Sequence, residues 1–486
     1  MTLVSDTGAP TVAAEMRLGI AGFQFSDLFD AARLKDLADE FYSDLAAKEP
    51  IVHQALTKYI EAGGKGFEKR AASNILTDSA PFLSEFIARI FKISASRKEL
   101  ERTILQQHPI WRYKFFVQRR AIKKYKAQDT SHENFHKIDR AVKDFRNAAF
   151  GELLRYDEEL GIATLAVHLL DAEESLAKNL ESTASVKETI DRIKLAFEKL
   201  KDGAFGELFT KYILDSDAEG DLLQVGAVLN LLEAWSAFEF YRKEKRWASF
   251  KVQHALDYQN LVHVIHPIEK SPNLMQGPES MLRQRDGFRL TDDRGTMRDA
   301  LYEVDYCLIC HERDKDSCST GLREPDGTAK RNPLGVKTDG CPLDEKISEM
   351  HLLKKQGDPI ASLALVAIDN PMCAGTGHRI CNDCMKGCIF QKQEPVNIPL
   401  AETASLTDVL KLPFGFEIYS LLTRWNPLNA ERPYPLPYNG RNVMVVGLGP
   451  AGYTLAHYLL NEGFGVVGVD GLKIEPLPPD WTGDLG

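Results

Sequence analysis

Cysteine is the residue type in this sequence whose spacing could do chemistry. The 486-residue chain has eight cysteines, all between Cys307 and Cys388. Thiolates two or three residues apart can converge on one metal centre, and eight thiolates suit two sites of four ligands each. The sequence therefore predicts two metal centres. The first group contains Cys307, Cys310, Cys318 and Cys341, and the second contains Cys373, Cys381, Cys384 and Cys388.

The spacing leaves two kinds of metal open. Four thiolates per site would complete the coordination of zinc, and His311, His351 and His378 lie close enough in sequence to replace a cysteine ligand. The close spacing at the end of the second group, and Pro342 directly after Cys341, are typical of ferredoxin-type runs. Spacing favours iron–sulfur centres over zinc. Disulfides are disfavoured, because the residues before the cluster contain no cysteine and no secretory signal precedes them.

A glycine-rich motif near residue 450 predicts a dinucleotide site. The apolar run 442–446 leads into Gly447, Gly449 and Gly452, a helix follows, and a second apolar run ends at Asp470. Backbone N–H groups at such a helix start can bind a pyrophosphate, and the acid can accept a hydrogen bond from a ribose hydroxyl. The alternative is a glycine turn in another kind of α/β unit. Pro450 and Ala451 complete the motif.

These motifs together resemble one family. Over residues 297–486 the chain is similar to the helical double-cluster ferredoxin domain of the glutamate synthase small subunit and of the N-terminal part of dihydropyrimidine dehydrogenase. That resemblance implies an electron-transfer oxidoreductase with two [4Fe-4S] clusters and FAD at the glycine motif, NAD(P)H acting only through a domain not present in these residues. It is carried by Cys341-Pro342-Leu343, Asn370-Pro371, Gly377-His378-Arg379-Ile380-Cys381, Cys384, Cys388 and Glu394-Pro395-Val396-Asn397-Ile398.

The resemblance also implies a crossed set of ligands. The first three cysteines of the first group and the last of the second would hold one cluster, and residues 319–340 would have to loop out between the two sites. The competing function is a zinc-binding, non-enzymatic interaction module on a helical scaffold. The implied sets are Cys307, Cys310, Cys318 and Cys388 for one cluster, and Cys341, Cys381, Cys384 and, as candidate fourth ligand, Cys373 for the other.

The elements that must position these residues are mainly helical. Apolar residues recur with helical spacing from Leu34 to Leu45, and Ser185 with Glu188 has the spacing of a capping box. The predicted fold is mainly α, with the start of a Rossmann-type FAD unit (βαβ) at its end. The predicted divisions are a disordered tail 1–13, a helical domain 14–296 of unknown role that could comprise two subdomains, a double-cluster domain 297–425, a proline-rich linker 426–440 and an incomplete FAD-binding unit 441–486.

A βαβ unit of this size cannot bury its own sheet, because parallel strands need neighbours and covering helices. We expect either a truncated product of a longer flavoprotein or completion by another polypeptide, and truncation is favoured. The expected partner is accordingly a protein redox partner or the remainder of a longer chain.

Charge and composition limit the other classes of partner. The net charge of −10 makes nucleic acid a poor partner, and 44% hydrophobic residues predict a folded protein. The apolar stretch from Leu222 to Trp235 is too short for a transmembrane segment, so we expect a cytoplasmic protein. Residues 111–126 mix cations with aromatic side chains, which is typical of a helix with a solvated basic face or, alternatively, of a docking surface for another subunit. The cations are Arg112, Lys114, Arg119, Arg120, Lys123, Lys124 and Lys126.

Overall fold

The computed structural model describes residues 17–127, 132–151, 156–178, 183–213, 220–279, 282, 287–288, 295–377 and 380–471. The predicted tail 1–13 and the stretch from Ile474 onward lie outside these residues. The chain divides into two compact units: a split unit, Met1–Glu101 with Leu256–Gly486, and an inserted unit, Arg102–Ala255.

The prediction of a mainly helical fold is confirmed. In the described residues the sheet structure is one pair of parallel strands near residue 450, together with a few isolated bridges. The helices of the split unit are α1 Ala31–Lys48, α2 Pro50–Glu61, α3 Lys69–Ile90, α4 Ser94–Leu105 (which runs past the unit boundary), α12 Met297–Tyr306, α13 Ser317–Thr320, α14 Ile347–Lys355, α15 Pro359–Asp369, α16 Cys373–Thr376, α17 Asp383–Gly387, α18 Ile398–Leu410, α19 Gly415–Leu422 and α20 Pro450–Asn461.

The first long helix forms as its sequence predicts. Asp30 is the N-cap of α1, and its side chain accepts hydrogen bonds from the N–H groups of Ala32 and Arg33 at 2.8 and 3.0 Å. The predicted apolar stripe is buried along its whole length, which fixes the face that α1 turns to the core. Its members are Leu34, Leu37, Ala38, Phe41 and Leu45.

One apolar core joins the N-terminal helices to the cysteine region. Phe41 and Leu56 belong to the same buried cluster as Leu363 and Trp425, and the rings of Phe86 and Trp425 stack with centroids 6.1 Å apart. Residues 17–101 therefore fold with residues 256–471, whereas the sequence grouped them with residues up to 296. Packing between segments far apart in sequence, and not the local hydrophobic pattern, determines which helices share this core.

Two ion pairs are enclosed in this core. Lys354 Nζ lies 2.8 Å from an oxygen of Asp408, and both side chains are almost completely buried. Arg97 pairs with Asp358 at 2.9 Å, and Ser84 donates to the same carboxylate at 2.6 Å. Buried charges persist only when they are paired and hydrogen-bonded, so the first pair ties α14 to α18 and the second ties the start of α15 to α3 and α4.

The end of the described chain is the predicted βαβ unit. Strands β1 Asn442–Val446 and β2 Gly465–Val469 pair in parallel, and α20 connects them. Gly463 takes a φ of 82° just after α20, where a left-handed residue ends the helix. Side chains on both strands are exposed, among them Met444, Val446 and Val467.

Residues 426–440, the predicted linker, form an ordered strap without helix or strand. The N–H of Asn426 donates to the carbonyl of Pro433 at 2.9 Å, and its side-chain amide donates to the carbonyl of Ala364 at 2.7 Å. Further along, the N–H of Leu436 donates to the carbonyl of Asn461 at 2.9 Å. The strap is therefore hydrogen-bonded both to the core and to α20.

The inserted unit is helical in the part that the structure describes. The stretch from Leu222 to Trp235 is partly buried at its start and mostly buried from Val225 onward, and no described helix has the length and apolarity that a membrane crossing requires. Thr183, rather than Ser185, is the N-cap of the helix predicted near residue 185.

The helices of the inserted unit are α5 His108–Phe116, α6 Ile122–Lys124, α7 His132–Phe150, α8 Glu158–Ala177, α9 Ala184–Leu200, α10 Ala204–Ile213 and α11 Gly220–Arg242, with a π-helical turn at Val117–Ala121.

Several cations of the basic stretch 111–126 are paired within this unit. Arg120 contacts Glu173 and Glu233 at 2.7 and 2.8 Å, and Lys124 lies 3.0 Å from Glu233. Arg112 also has a carboxylate partner, Asp171, at 2.7 Å. This pattern is that of a helix stabilised by its neighbours, with buried aromatic residues such as Tyr113.

The shared core makes a prediction about stability. Leu56→Ala removes a fully buried side chain and should destabilise the split unit by about 2–5 kcal/mol. Hydrogen exchange followed by mass spectrometry should then rise in peptides of both 34–92 and 350–425. Ile51→Ala, on the same helix but 82% exposed, is the matched control and should change stability by less than about 0.5 kcal/mol. Faster exchange restricted to 34–92 would contradict a common core.

Candidate functional site

Four of the eight cysteines line one small cavity, which we call cavity A. Ile347, His351 and Phe390 line it as well. The free space between these side chains is about 10 Å³, close to the smallest that holds one water molecule. A larger group would therefore require the side chains to open. The four cysteines are Cys307, Cys310, Cys318 and Cys388.

The chain direction changes sharply between the first two cysteines of cavity A. Cys307 is the C-cap of α12, and Ile309 takes the left-handed conformation with a φ of 49°. The N–H of Ile309 donates to Sγ of Cys307 at 3.4 Å, and Cys310 begins a short 3₁₀ turn. This turn brings both thiols to the same cavity.

The other two thiols come from short helices that pack together. Cys318 lies on α13 and Cys388 directly follows α17. A Cβ on Gly387, the residue before Cys388, would lie 2.5 Å from the carbonyl oxygen of Ser317 and 3.0 Å from Cα of Gly340. Only glycine allows this approach, so backbone packing holds α13 and α17 at the distance that cavity A needs.

Three cysteines lie at a second, wider cavity, cavity B, of about 360 Å³. They are Cys341, Cys381 and Cys384, and Pro450 and Ala451 at the start of α20 line the same cavity. The cysteine cavities are adjacent, since Cys384 and Cys388 lie one turn apart.

The segment 319–340 loops out between the cavities, as predicted. The N–H of Cys341 donates to the carbonyl of Cys318 at 2.9 Å, which joins the two ends of the loop. Gly321 and Gly340 stand at its base with φ values of 84° and 88°, and a Cβ on Gly340 would lie 2.4 Å from the backbone nitrogen of Gly321. The long spacing in the sequence is therefore compatible with neighbouring thiols.

Two buried glutamates at cavity B were missed by the sequence reasoning. Glu345 and Glu402 line the cavity, and the side chain of Asn370 donates to Glu402 at 2.7 Å. Burial raises the pKa of Glu402 to about 8, with repulsion from Glu345 adding to it. Burial together with the charge of Asp369 raises the pKa of Glu345 to about 7. Glu345 follows Cys341 closely in sequence, but no spacing pattern points to Glu402.

The last cysteine of the predicted set is placed elsewhere. Cys373 lines neither cavity; it is completely buried in the main apolar core, with its Sγ 3.9 Å from the hydroxyl oxygen of Tyr419. Of the predicted substitute ligands, His311 has Nδ1 2.7 Å from Oγ of Ser348, and His351 lines cavity A. His378 lies outside the described residues.

Burial favours the protonated thiol of Cys307 at cavity A and of Cys341 at cavity B. It raises the pKa of Cys307 and of Cys341 to about 12, and repulsion from neighbouring thiolates or carboxylates adds to the effect. The thiol of Cys318 is in addition 3.2 Å from Oδ1 of Asp316. Within the described residues no three His, Cys, Asp or Glu side chains are already arranged around a single ion. Loading a metal would release protons.

The glycine motif forms the turn between β1 and α20. Gly447 has a φ of 93°, and the N–H of Leu448 donates to an oxygen of Asp470 at 2.5 Å. Asp470 was predicted to accept a hydrogen bond from a ribose hydroxyl. In the structure its carboxylate stabilises the glycine turn. A Cβ on Gly452 would lie 1.8 Å from the carbonyl oxygen of Gly447, whereas a Cβ on Gly449 would have no atom within 4 Å. Glycine is therefore needed at position 452 for helix–strand packing, whereas the space beside Gly449, in front of α20, is open.

The comparisons with known proteins give the following matches. Residues 18–92 match the family model of the RP005 N-terminal alpha-helical domain. The uncharacterized protein RP006 of Rickettsia prowazekii (strain Madrid E) is 61% identical over 106 residues, which is 22% of this chain and 15% of RP006. The uncharacterized protein RP005 of the same organism is 26% identical over 356 residues, which is 70% of this chain and 99% of RP005. No solved structure matches the chain.

These matches correct one expectation. The resemblance to the glutamate synthase small subunit and dihydropyrimidine dehydrogenase is wrong as a family assignment, because the matching model is that of the RP005 domain and no ferredoxin or FAD family matches. The chain spans only about 15% of the length of RP006.

The turn at the glycine motif generates a prediction. Gly452→Ala should force the Gly447 carbonyl away and destabilise the βαβ unit by about 1–3 kcal/mol. Limited proteolysis should then cut residues 442–469 faster. Gly449→Ala, earlier in the same turn and in open space, is the control and should leave the cleavage rate unchanged. Equal sensitivity of the two variants would show that the close approach is not what holds the turn.

Proposed function

We propose that this chain is an electron-transfer protein that holds two iron–sulfur clusters, one at cavity A and one at cavity B. The observation that carries the proposal is the sorting of seven cysteines, far apart in sequence, into two adjacent cavities of four and three. A cluster held by four thiolates needs such a set, and two clusters close together allow one-electron transfer between them.

The donor set at cavity A supports a cluster with four cysteine ligands, for which the side chains around its present free space of about 10 Å³ would have to move apart. All four side chains are half-buried or buried, and Val396 and Ile398 pack around them in a small apolar cluster. Such surroundings exclude water and tune the potential of a bound cluster. Burial raises the pKa of Cys388, and hydrogen bonds from the backbone N–H groups of Phe390 and Val396 oppose part of that rise.

The donor set at cavity B supports a cluster with three cysteines and one oxygen ligand. Glu402 and Glu345 line the cavity, whereas Cys373 does not. A carboxylate bound to iron would lose its proton, and the positive charge of the metal would compensate the burial that now raises the pKa of both glutamates. Both glutamates are candidates for the oxygen ligand, since the side chain of Asn370 interacts with each of them.

Cavity B also supports FAD as the neighbouring cofactor. Pro450 and Ala451 belong both to the glycine motif and to the wall of cavity B. The open space at Gly449 and the N-terminus of the 12-residue helix α20 suit a pyrophosphate, for which they provide backbone N–H groups. FAD would exchange electrons with the cluster across this shared wall. The route would then run from the glycine motif through cavity B to cavity A.

The proposal predicts the metal content. Protein purified without oxygen should contain about eight irons and about eight acid-labile sulfides per chain, and its visible absorption should bleach with dithionite. Colorimetric iron and sulfide assays measure this directly. Stoichiometric zinc without sulfide would instead favour the zinc-binding interaction module and would end the electron-transfer proposal.

The proposal also predicts which cysteines act together. Cys307→Ser and Cys388→Ser should each lower the iron content to about four per chain and remove the same cluster, because both thiols line cavity A. Cys384→Ser should remove the other cluster. Electron paramagnetic resonance of the reduced variants distinguishes the two signals.

Cys373→Ser is the matched control for these variants. It should keep both clusters, since Cys373 lines neither cavity. Loss of the cavity B signal in this variant would restore Cys373 as a ligand and contradict the oxygen ligand proposed here.

A further inference from the structure

His351 is a buried polar side chain that the cysteines do not explain. It lies on α14 one turn after Ile347, so that both side chains are on the same face of the helix, and both line cavity A. Met350 and Leu353, on other faces of α14, belong to the main core. The helix therefore presents one polar group to the four cysteines.

Both ring nitrogens of His351 lack a hydrogen-bond partner in the part of the chain that the structure describes, and the side chain is completely buried. His311 makes a useful comparison, because its Nδ1 lies 2.7 Å from Oγ of Ser348. A buried polar group without a partner is rare and unfavourable, which indicates that a partner occupies cavity A in the functional protein.

The form of the His351 ring defines what it can offer. Complete burial favours the neutral ring over the charged one. A neutral imidazole has one N–H donor and one unprotonated nitrogen. A neutral donor suits the sulfur atoms of a cluster, which carry partial negative charge.

We infer that the ring N–H of His351 donates a hydrogen bond to a sulfur of the cluster at cavity A and raises the reduction potential of that cluster. This inference rests on the proposed function. Reduction adds negative charge to the cluster, so a donor to sulfur stabilises the reduced form more than the oxidised form. The four thiols already supply four ligands, so His351 acts as a positioning and tuning residue and not as a ligand.

The test compares His351→Leu and His351→Gln with the wild-type full chain. Leucine removes the donor and glutamine keeps an N–H, while Ile347→Leu changes packing at the same cavity without changing polarity. Iron and sulfide are assayed first, and the midpoint potential of each cluster is then measured by redox titration with paramagnetic-resonance detection. We expect one cluster of His351→Leu to become harder to reduce, with His351→Gln and Ile347→Leu close to wild type.

The outcomes separate the two proposals. Full cluster content with unchanged potentials in His351→Leu would overturn the inference and leave the proposed function standing. Loss of one cluster in both His351 variants would also overturn it, by making the ring a ligand or a packing element. Wild-type protein without iron and sulfide would overturn the proposed function itself.

A second measurement avoids the variants altogether. Wild-type protein labelled with ¹⁵N-histidine should show, after reduction, a nitrogen coupling and an exchangeable proton coupling at one cluster by electron–nuclear double resonance. The absence of both couplings in fully loaded protein would contradict the inference even if His351→Leu failed to fold.

Discussion

The close approach of backbone at Gly387 is the constraint on which both cavities depend. Its backbone lies directly against the Ser317 carbonyl and Gly340, so α13, α17 and the base of the 319–340 loop meet without side chains between them. Cys384 and Cys388 lie on either side of this glycine in the sequence and face different cavities. The single helical turn from Cys384 to Cys388 therefore places the two sets of thiols in separate cavities that lie next to each other.

Burial gives the cysteine region its chemical character. Thiols and carboxylates that are withdrawn from water have raised pKa values, so burial disfavours their charged forms until a cation enters. Metal binding would release protons from these thiols and carboxylates. The positive charge of the metal would then stabilise the negative charges that burial alone disfavours. The stability of the region would then depend on its metal and on pH together, which is the usual behaviour of small metal-binding domains.

Local sequence patterns predicted local structure well here. The stripe from Leu34 to Leu45 and the strand–turn–helix at Gly447 both appear as expected, since each depends on neighbours within a few residues. The grouping of α1–α3 with the cysteine region, and the position of Glu402 at cavity B, depend on packing between segments far apart in sequence, which no local spacing encodes. The family assignment failed for a related reason: short cysteine and glycine motifs cover few residues and do not define the ancestry of the whole chain.

The split unit also has a consequence for synthesis of the protein on the ribosome. Residues 17–101 are made before residues 256–471, but the core that covers their apolar faces includes residues such as Leu363 and Trp425. At a synthesis rate of roughly 5–20 residues per second, the residues that complete this core are made on the order of ten seconds or more after these helices. The inserted unit lies wholly within that interval, and its own apolar residues can pack as soon as it emerges. The nascent chain thus exposes the α1–α3 surface longest, and this is the surface that a chaperone would meet.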